Sequence, residues 1–338
     1  MNASRQGSPA ARATVAASLP WLVADVGGTN ARFGWVADVA RGVEHVQTVP
    51  TAGFDGPAAA AAAYLAATAA QRGAARPRRA ALAVATAVGG DSVALTNSHW
   101  VFSRAALQRE LGVERLLLLN DFEALALSLP RLKPAQLRWQ GVAPHPRGTL
   151  AVIGPGTGLG VGAVVQTAHA WVPLAGEGGH ATLAPADDFE SAVLQHVRRE
   201  FDHVSAERLL SGIGLPVLHQ ATAAVLGKPA APMSTPAIVE AGLDRSDPVC
   251  ERTLEGFCAL LGGFAGNVAL TLGAVGGVYI GGGIVPRLGD RFFASAFRAR
   301  FEAKGRFKAY LGPIPTAVIV DTLVALSGAA MAIEQDAA

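Results

Sequence analysis

The chain is poor in cysteine. Its only two, Cys250 and Cys258, form no Cys-x-x-Cys pair, which excludes a disulfide framework and a thiolate zinc site. Eight residues apart in a helical-looking stretch, they would share a face with Cα atoms about 12 Å apart, too far to bridge. A reducing cytoplasm fits that usage. Charge is scarce as well: 16% of residues are charged and the formal net charge is +2, which leaves no electrostatic footprint for a nucleic-acid partner. Lysine is nearly missing, four against 24 arginines. The one arginine cluster, Arg76, Arg78 and Arg79, reads as a solvated loop.

Long hydrophobic runs are also few. Phe257 to Pro286 carries no charge and is long enough to span a bilayer, yet it holds nine glycines and Asn267. It reads instead as a buried helix to about Leu272, the strand Gly277–Ile280, and a tight loop, so no membrane partner is expected. Residues 1–18 have no acid and no apolar core of signal length. Residues 1–19 are expected to be a disordered tail.

What is present is an alternation of short aliphatic runs, glycine turns and helical stretches. Trp21–Ala24 reads as a strand, Asp25 to Asn30 as a turn, and Ala31–Val36 as the returning strand. Residues 57–72 are strongly helix-forming. Ala80–Val84 and Leu116–Leu119 read as strands, and Glu123–Leu129 as a helix. Residues 131–148, with three prolines, look like a crossing between domains. The design then restarts about 130 residues on: Leu150–Ile153 as a strand, Gly154 to Gly160 as a loop, Val161–Val165 as the return. Two strand–glycine/threonine turn–strand units make a weak repeat in sequence but a clear one in design.

The chemistry concentrates at Asn120-Asp121, which end the apolar run Leu116 to Leu119. In α/β folds ligands gather beyond such strand ends, and a carboxylate leaving a hydrophobic strand is costly to desolvate without a task or partners. Asp121 is therefore a candidate general base. The two glycine/threonine turns let backbone N–H groups converge on an anion while a threonine hydroxyl adds a donor, the pattern of a phosphate clamp. Asp25, just before the first turn, cannot bind phosphate directly and would hold a metal ion through water.

Two rival motifs fail. The one Gly-Lys pair, Gly227-Lys228, has Thr222 where a Walker A loop needs glycine and Pro229 after it. Gly158-x-Gly160-x-x-Ala163 follows a strand but leads into another, where a dinucleotide fingerprint needs a helix N-terminus. Gly176-Glu177-Gly178-Gly179-His180 has the Glu-x-x-His spacing of a helical carboxylate metal site, but its glycines favour a loop that shows a carboxylate and an imidazole to a polyhydroxylated ligand. Glu207 is uninformative on its own, since an early-helix acid is usually a dipole or capping residue.

Together these stretches resemble the bacterial ATP-dependent glucokinases of the sugar kinase/actin/heat-shock chaperone ATPase superfamily. The matching segments are DVGGTNARF (25–33), LTNSHW (95–100), NDFEALALSLP (120–130), GPGTGLG (154–160), GEGGH (176–180), SAERLLSG (205–212), GGVYIGGGIVPR (276–287) and FEAKGRFKAYLGPIP (301–315), in family order over nearly everything after residue 20. The resemblance implies an α/β protein with a two-domain, actin-like (ribonuclease H-like) ATPase fold, its mixed central sheets flanked by helices and a cleft between the domains. The expected division is 20–131 plus 322–338 for a small domain and 132–321 for a large one.

The resemblance also assigns roles. Asp121 would take the proton from the 6-hydroxyl of D-glucose as that oxygen attacks the γ-phosphorus of ATP. Asn120, Glu177, His180 and Glu207 would hold the other hydroxyls, with Thr96 and Asn97 nearby. Gly27, Gly28, Thr29, Asn30, Gly156, Thr157 and Gly158 would line the phosphates, Gly281, Gly282 and Gly283 the adenosine, and Mg²⁺ would accompany ATP. A homodimer is a compatible assembly. One departure is Thr86, where the family commonly has proline near the sugar, so sugar preference could differ. The alternatives are a kinase for another hexose and a non-catalytic sugar or nucleotide sensor. The sensor would need a lost base or an appended DNA-binding segment, whereas Asp121 is present.

Overall fold

The computed structural model describes residues 9–338; of the expected disordered tail, residues 1–8 lie outside the described residues. Residues 9–17 correct that expectation, because Pro9–Ala17 is a helix. The physical reason is packing as well as alanine propensity: Val15 and Leu19 rest on the core formed by Trp21, Val23 and the C-terminal helix. The chain divides into two compact units, one made of residues up to Leu129 with Thr167–Pro173 and Thr322–Ala338, the other of Pro130–Gln166 and Leu174–Asp321. Thr167–Pro173 belongs to the first unit, where Trp171 N–H donates to Gln335 at 2.8 Å. Nothing in that segment's own sequence announces this.

The first unit is built on the strand order Glu44–Pro50, Asn30–Val36, Trp21–Val26, Arg79–Val84, Arg115–Asn120. The first three run antiparallel and the last two join parallel, with Val26 level with Val84 and Val84 level with Asn120. Three parallel strands thus end together at Val26, Val84 and Asn120. One face of the sheet packs Leu22, Ala24, Phe33 and Leu82 against Tyr64 and Leu107 from the helices Pro57–Ala67 and Arg104–Leu111. The other packs Trp21, Val23 and Ala81 against Leu326, Ala329 and Ile333 of the helix Val324–Ala337. The helix expected over 57–72 stops at Ala67, with Thr68 as its C-cap. Glu44–Pro50 was not foreseen, since its residues are mostly half-buried and lack a core-facing pattern.

The second unit repeats the hairpin-then-parallel plan. Leu159–Gln166 pairs antiparallel with Thr149–Pro155, which pairs parallel with Gly277–Ile280, and that strand pairs parallel with Thr316–Ile319. Leu137–Trp139 adds itself antiparallel to Thr316–Ile319, so part of the proline-rich stretch read as a crossing is an edge strand. The charge-free segment comprises the later part of the helix Pro248–Leu272, from Phe257 on, followed by the strand Gly277–Ile280. Of the helix's most apolar stretch, 72% is buried, with Phe257, Leu261 and Ala265 inside the core. Cys250 and Cys258 are both buried and free.

Candidate active site

In the first unit, chemistry gathers where the strands run out. Arg115–Asn120 ends at Asn120 and the helix Asp121–Ser128 starts at the next residue, two positions before the expected Glu123. The reason is a capping box. The Asn120 carboxamide oxygen accepts from Phe122 N–H at 2.9 Å, and Glu123 reaches back to accept from Asn120 N–H at 2.9 Å. Asp121 is therefore the first helical residue, and its carboxylate also accepts from Phe122 N–H at 3.0 Å. Acids in a first turn are electrostatically favoured, and here a short chain of hydrogen bonds fixes the backbone under the carboxylate. Behind the helix, Gly328 of Val324–Ala337 lies so close that a Cβ there would fall 1.7 Å from the Ala124 carbonyl oxygen.

The first glycine turn closes with Gly27 N–H donating to Asn30 O at 2.9 Å. Thr51 anchors it twice, its hydroxyl donating to Gly28 O at 2.7 Å and its N–H to Thr29 O at 3.0 Å. Sequence reasoning missed Thr51, which has no motif around it. Gly28 sits directly on Asn97: a Cβ would stand 2.4 Å from the Asn97 carbonyl oxygen. Thr96 and Asn97 are exposed in the loop of a small hairpin, Ser92–Ala94 with Val101–Ser103. The Trp100 indole pins that loop by donating to Phe54 O at 2.8 Å. The structure thus brings Gly28 and Asn97 together.

Asp25 pairs with Arg32 across the same hairpin, Oδ2 to guanidinium at 3.0 Å. Burial pushes the Asp25 carboxyl above the usual carboxylate range by disfavouring its charge, while Arg32 pulls the other way. Arg32 was also missed; the four residues between the paired positions Val26 and Ala31 set residue 32 opposite residue 25.

In the second unit, the turn Gly156–Gly158 closes by Gly156 N–H to Gly158 O at 2.9 Å. Gly282, at φ +75°, fits against it because a Cβ would stand 2.3 Å from the Pro155 carbonyl oxygen; Gly281 N–H donates to Ile153 O at 2.8 Å. The Gly281–Gly283 loop and the entry to the Gly156 turn are thus one surface. Glu177 and His180 are exposed around the single 3-10 turn Gly178–His180. That turn lies on the strand below: a Cβ at Gly179 would come within 1.8 Å of Leu159 O.

Glu207 is not an early-helix acid. It lies in a turn ahead of the helix Leu215–Val225, because its N–H is taken by Gly179 O at 2.9 Å and Ala206 N–H by Ala181 O at 2.9 Å. Its Oε1 stands 3.9 Å from His180 Nδ1 and its Oε2 accepts from Leu159 N–H at 2.8 Å. His203, also missed, meets the His180 carbonyl oxygen at 3.0 Å.

A family model described as Glucokinase matches residues 22–336 of the chain. The chain belongs to the glucokinase family. It is 50% identical over 313 residues to the glucokinase of Chromobacterium violaceum, covering 92% of this chain and 88% of that one. Among solved structures, a glucokinase from an Antarctic psychrotroph superimposes with a TM-score of 0.85 at 37% identity, covering 93% of this chain and 98% of that one. A ROK family glucokinase from Streptomyces griseus, solved with glucose and AMPPNP, shares the fold at a TM-score of 0.60 and 18% identity, over 92% and 98% of the two chains. The glucokinase family is the setting in which the two-unit α/β architecture, its mixed sheets and its paired hairpin turns are to be understood.

Proposed function

We propose that this chain transfers the γ-phosphoryl group of ATP to the 6-hydroxyl of D-glucose, giving ADP and D-glucose 6-phosphate. The observation that carries the reading is Asp121: in a chain of the glucokinase family, a carboxylate stands at a strand–helix junction held by a complete capping box. As the sugar oxygen attacks, Asp121 accepts its proton. A positioned base contributes about 10²–10⁴-fold to such a step, and the remainder is positioning and charge stabilisation.

Asn120, Glu177, His180 and Glu207 are assigned to the sugar's hydroxyls, and Thr96 and Asn97 to the same ligand. Gly27, Gly28, Thr29, Asn30, Gly156, Thr157 and Gly158 present backbone and hydroxyl donors to the phosphates, and Gly281, Gly282 and Gly283 take the adenosine. Among the described residues no group of three or more His, Cys, Asp or Glu forms a metal cage. One half-buried carboxylate, Asp25, with a single oxygen engaged by Arg32, suits a Mg²⁺ ion held through water and by substrate phosphates. That ion supplies neutralisation of phosphate charge when bound. Two buried free thiols suit a reducing cytoplasm, where we place the reaction.

The test is ADP release with a panel of hexoses. Wild type should release ADP with glucose, and Asp121→Asn should lose about 10²–10⁴-fold in kcat with little change in glucose KM. Sugar-independent ADP release, or full activity in Asp121→Asn, overturns the reading.

A further inference from the structure

Residues 205–213 lie between two loops to which the proposed function gives different ligands. On one side Glu207 N–H and Ala206 N–H donate to Gly179 O and Ala181 O, both at 2.9 Å, which joins the segment to the Glu177–His180 turn. On the other, Gly212 N–H donates to Gly156 O at 2.7 Å and Ile213 N–H to Thr157 O at 3.2 Å, which joins it to the phosphate turn. Gly212 is itself close to that turn, with a Cβ position 3.0 Å from Gly156 O. The Ser211 hydroxyl braces the segment internally, donating to Glu207 O at 2.7 Å and accepting from Gly214 N–H at 3.0 Å.

One side chain spans the gap. The Glu207 carboxylate uses Oε2 to accept from Leu159 N–H at 2.8 Å, at the exit of the phosphate turn. The same oxygen lies over Gly158, 2.4 Å from where a Cβ would sit. Its other oxygen points to His180 at 3.9 Å. With a side chain 23% exposed, the group is sheltered enough for a charge-assisted bond to an N–H to hold a loop in place. A carboxylate so near a phosphate turn would repel the ligand if it were free to swing toward it. The Leu159 N–H holds it off.

We propose that Glu207 is a positioning residue for the phosphate turn as well as a sugar ligand. It holds Gly158-Leu159 in place through Oε2 while Oε1 senses the sugar, so that hexose occupancy and nucleotide affinity are coupled through one carboxylate. The proposal rests on the sugar and ATP assignments above. Coupling of this kind is reciprocal in binding free energy. Disturbing either end should therefore be felt at the other.

The experiment measures binding of a non-hydrolysable ATP analogue with and without glucose. Without sugar, Glu207→Ala should bind the analogue about tenfold more weakly, the effect of one charge-assisted hydrogen bond, and glucose should no longer tighten it. Glu207→Gln keeps an oxygen for Leu159 N–H and should restore sugar-free analogue affinity while still weakening glucose. Glu177→Gln should weaken glucose alone. Gly158→Ala, which pushes Oε2 aside, should weaken glucose binding even with no nucleotide present. Should Glu207→Ala lose its fold, Glu207→Asp, one methylene short of Leu159, carries the same expectation. Wild-type analogue affinity in sugar-free Glu207→Ala or Glu207→Asp overturns this proposal alone. A wild type that binds no analogue overturns the ATP assignment and this proposal with it.

Discussion

Asn120 Nδ2 donates to the Thr86 carbonyl oxygen at 3.2 Å, tying the residue before the proposed base to the exit turn of the neighbouring parallel strand. The same side chain caps the Asp121–Ser128 helix through its oxygen. Asn120 is thus half structural, and its two functions separate by substitution. Thr86 matters here through its backbone, whose N–H donates to Val84 O at 2.8 Å. A proline at 86 could not make that bond, so the family's usual residue would remove it while leaving the carbonyl that Asn120 uses.

Asn120→Asp should keep the cap, since asparagine and aspartate cap almost equally, and lose the donor to Thr86. We expect glucose KM to rise about tenfold with a melting temperature close to wild type. Asn120→Ala loses both bonds and should also cost about 1 kcal/mol of stability. Steady-state kinetics beside thermal denaturation separates the two; an unchanged KM in Asn120→Asp would remove Asn120 from the sugar site.

Gly28→Ala places a methyl 2.4 Å from the Asn97 carbonyl oxygen and 2.7 Å from its Cβ, so turn and loop must part. Overpacking of this kind costs about 1–3 kcal/mol, and KM for glucose and for ATP should both increase. Gly156→Ala is the control, because nothing lies within 4 Å of its Cβ position. It should fold as well as wild type, so any rise in its ATP KM reports the ligand's own approach to the turn.

Gly328→Ala drives a methyl into the Ala124 carbonyl, 1.7 Å away, and must push the helix bearing Asp121. Stability should drop by about 2 kcal/mol or more in urea. Activity should drop further than the unfolded fraction explains, because misplacing a catalytic group by about 1 Å can cost about 10²-fold. Equal losses of activity and folded protein would mean that the base keeps its place.

His219 gives the pH prediction. It is buried in the helix Leu215–Val225, and neither ring nitrogen has a hydrogen-bond partner among the described residues. Burial pushes its pKa below the ordinary 6.5, with Asp247 opposing. Well above pH 6.5 the ring is neutral folded and unfolded, and stability does not depend on its titration. As pH falls below that value the unfolded chain takes up a proton the folded chain resists, and stability declines until the folded-state pKa is passed. His219→Leu should remove this acid slope and, at pH 8, lie within about 1 kcal/mol of wild type or above it, since two unpaired buried nitrogens are gone. Parallel slopes for the two proteins between pH 7 and 5 would contradict this.

Much of the plan was legible because strands buried on both faces leave aliphatic runs. Trp21–Ala24, Ala80–Val84, Leu116–Leu119 and Leu150–Ile153 all fall inside observed strands, and the glycine turns marked both hairpins. Gly277–Ile280 and the helix end at Leu272 match to the residue. Strands with little core contact, Glu44–Pro50 and Leu137–Trp139, left no such trace. At the site, Asn120-Asp121 stood out as polar residues ending an apolar run, but the Asn120 cap depends on Glu123 reaching back, which spacing permits and does not demand. Glu207 was opaque for a different reason. Its partners, Leu159 and Gly179, lie 48 and 28 positions earlier in the chain, and only the folded backbone introduces them.

The helix Val324–Ala337 has a consequence for how the molecule is made. It covers Trp21, Val23 and Ala81 on one sheet face of the first unit, yet everything from Leu174 to Asp321 belongs to the second. During synthesis that apolar face is complete in sequence some 240 residues before its cover emerges, and domains otherwise tend to fold in the order they leave the ribosome. Here the second unit, complete in sequence at Asp321, is synthesised before the first unit receives its last helix. Until the last helix docks, the helix bearing Asp121 lacks the close Gly328 contact that backs it.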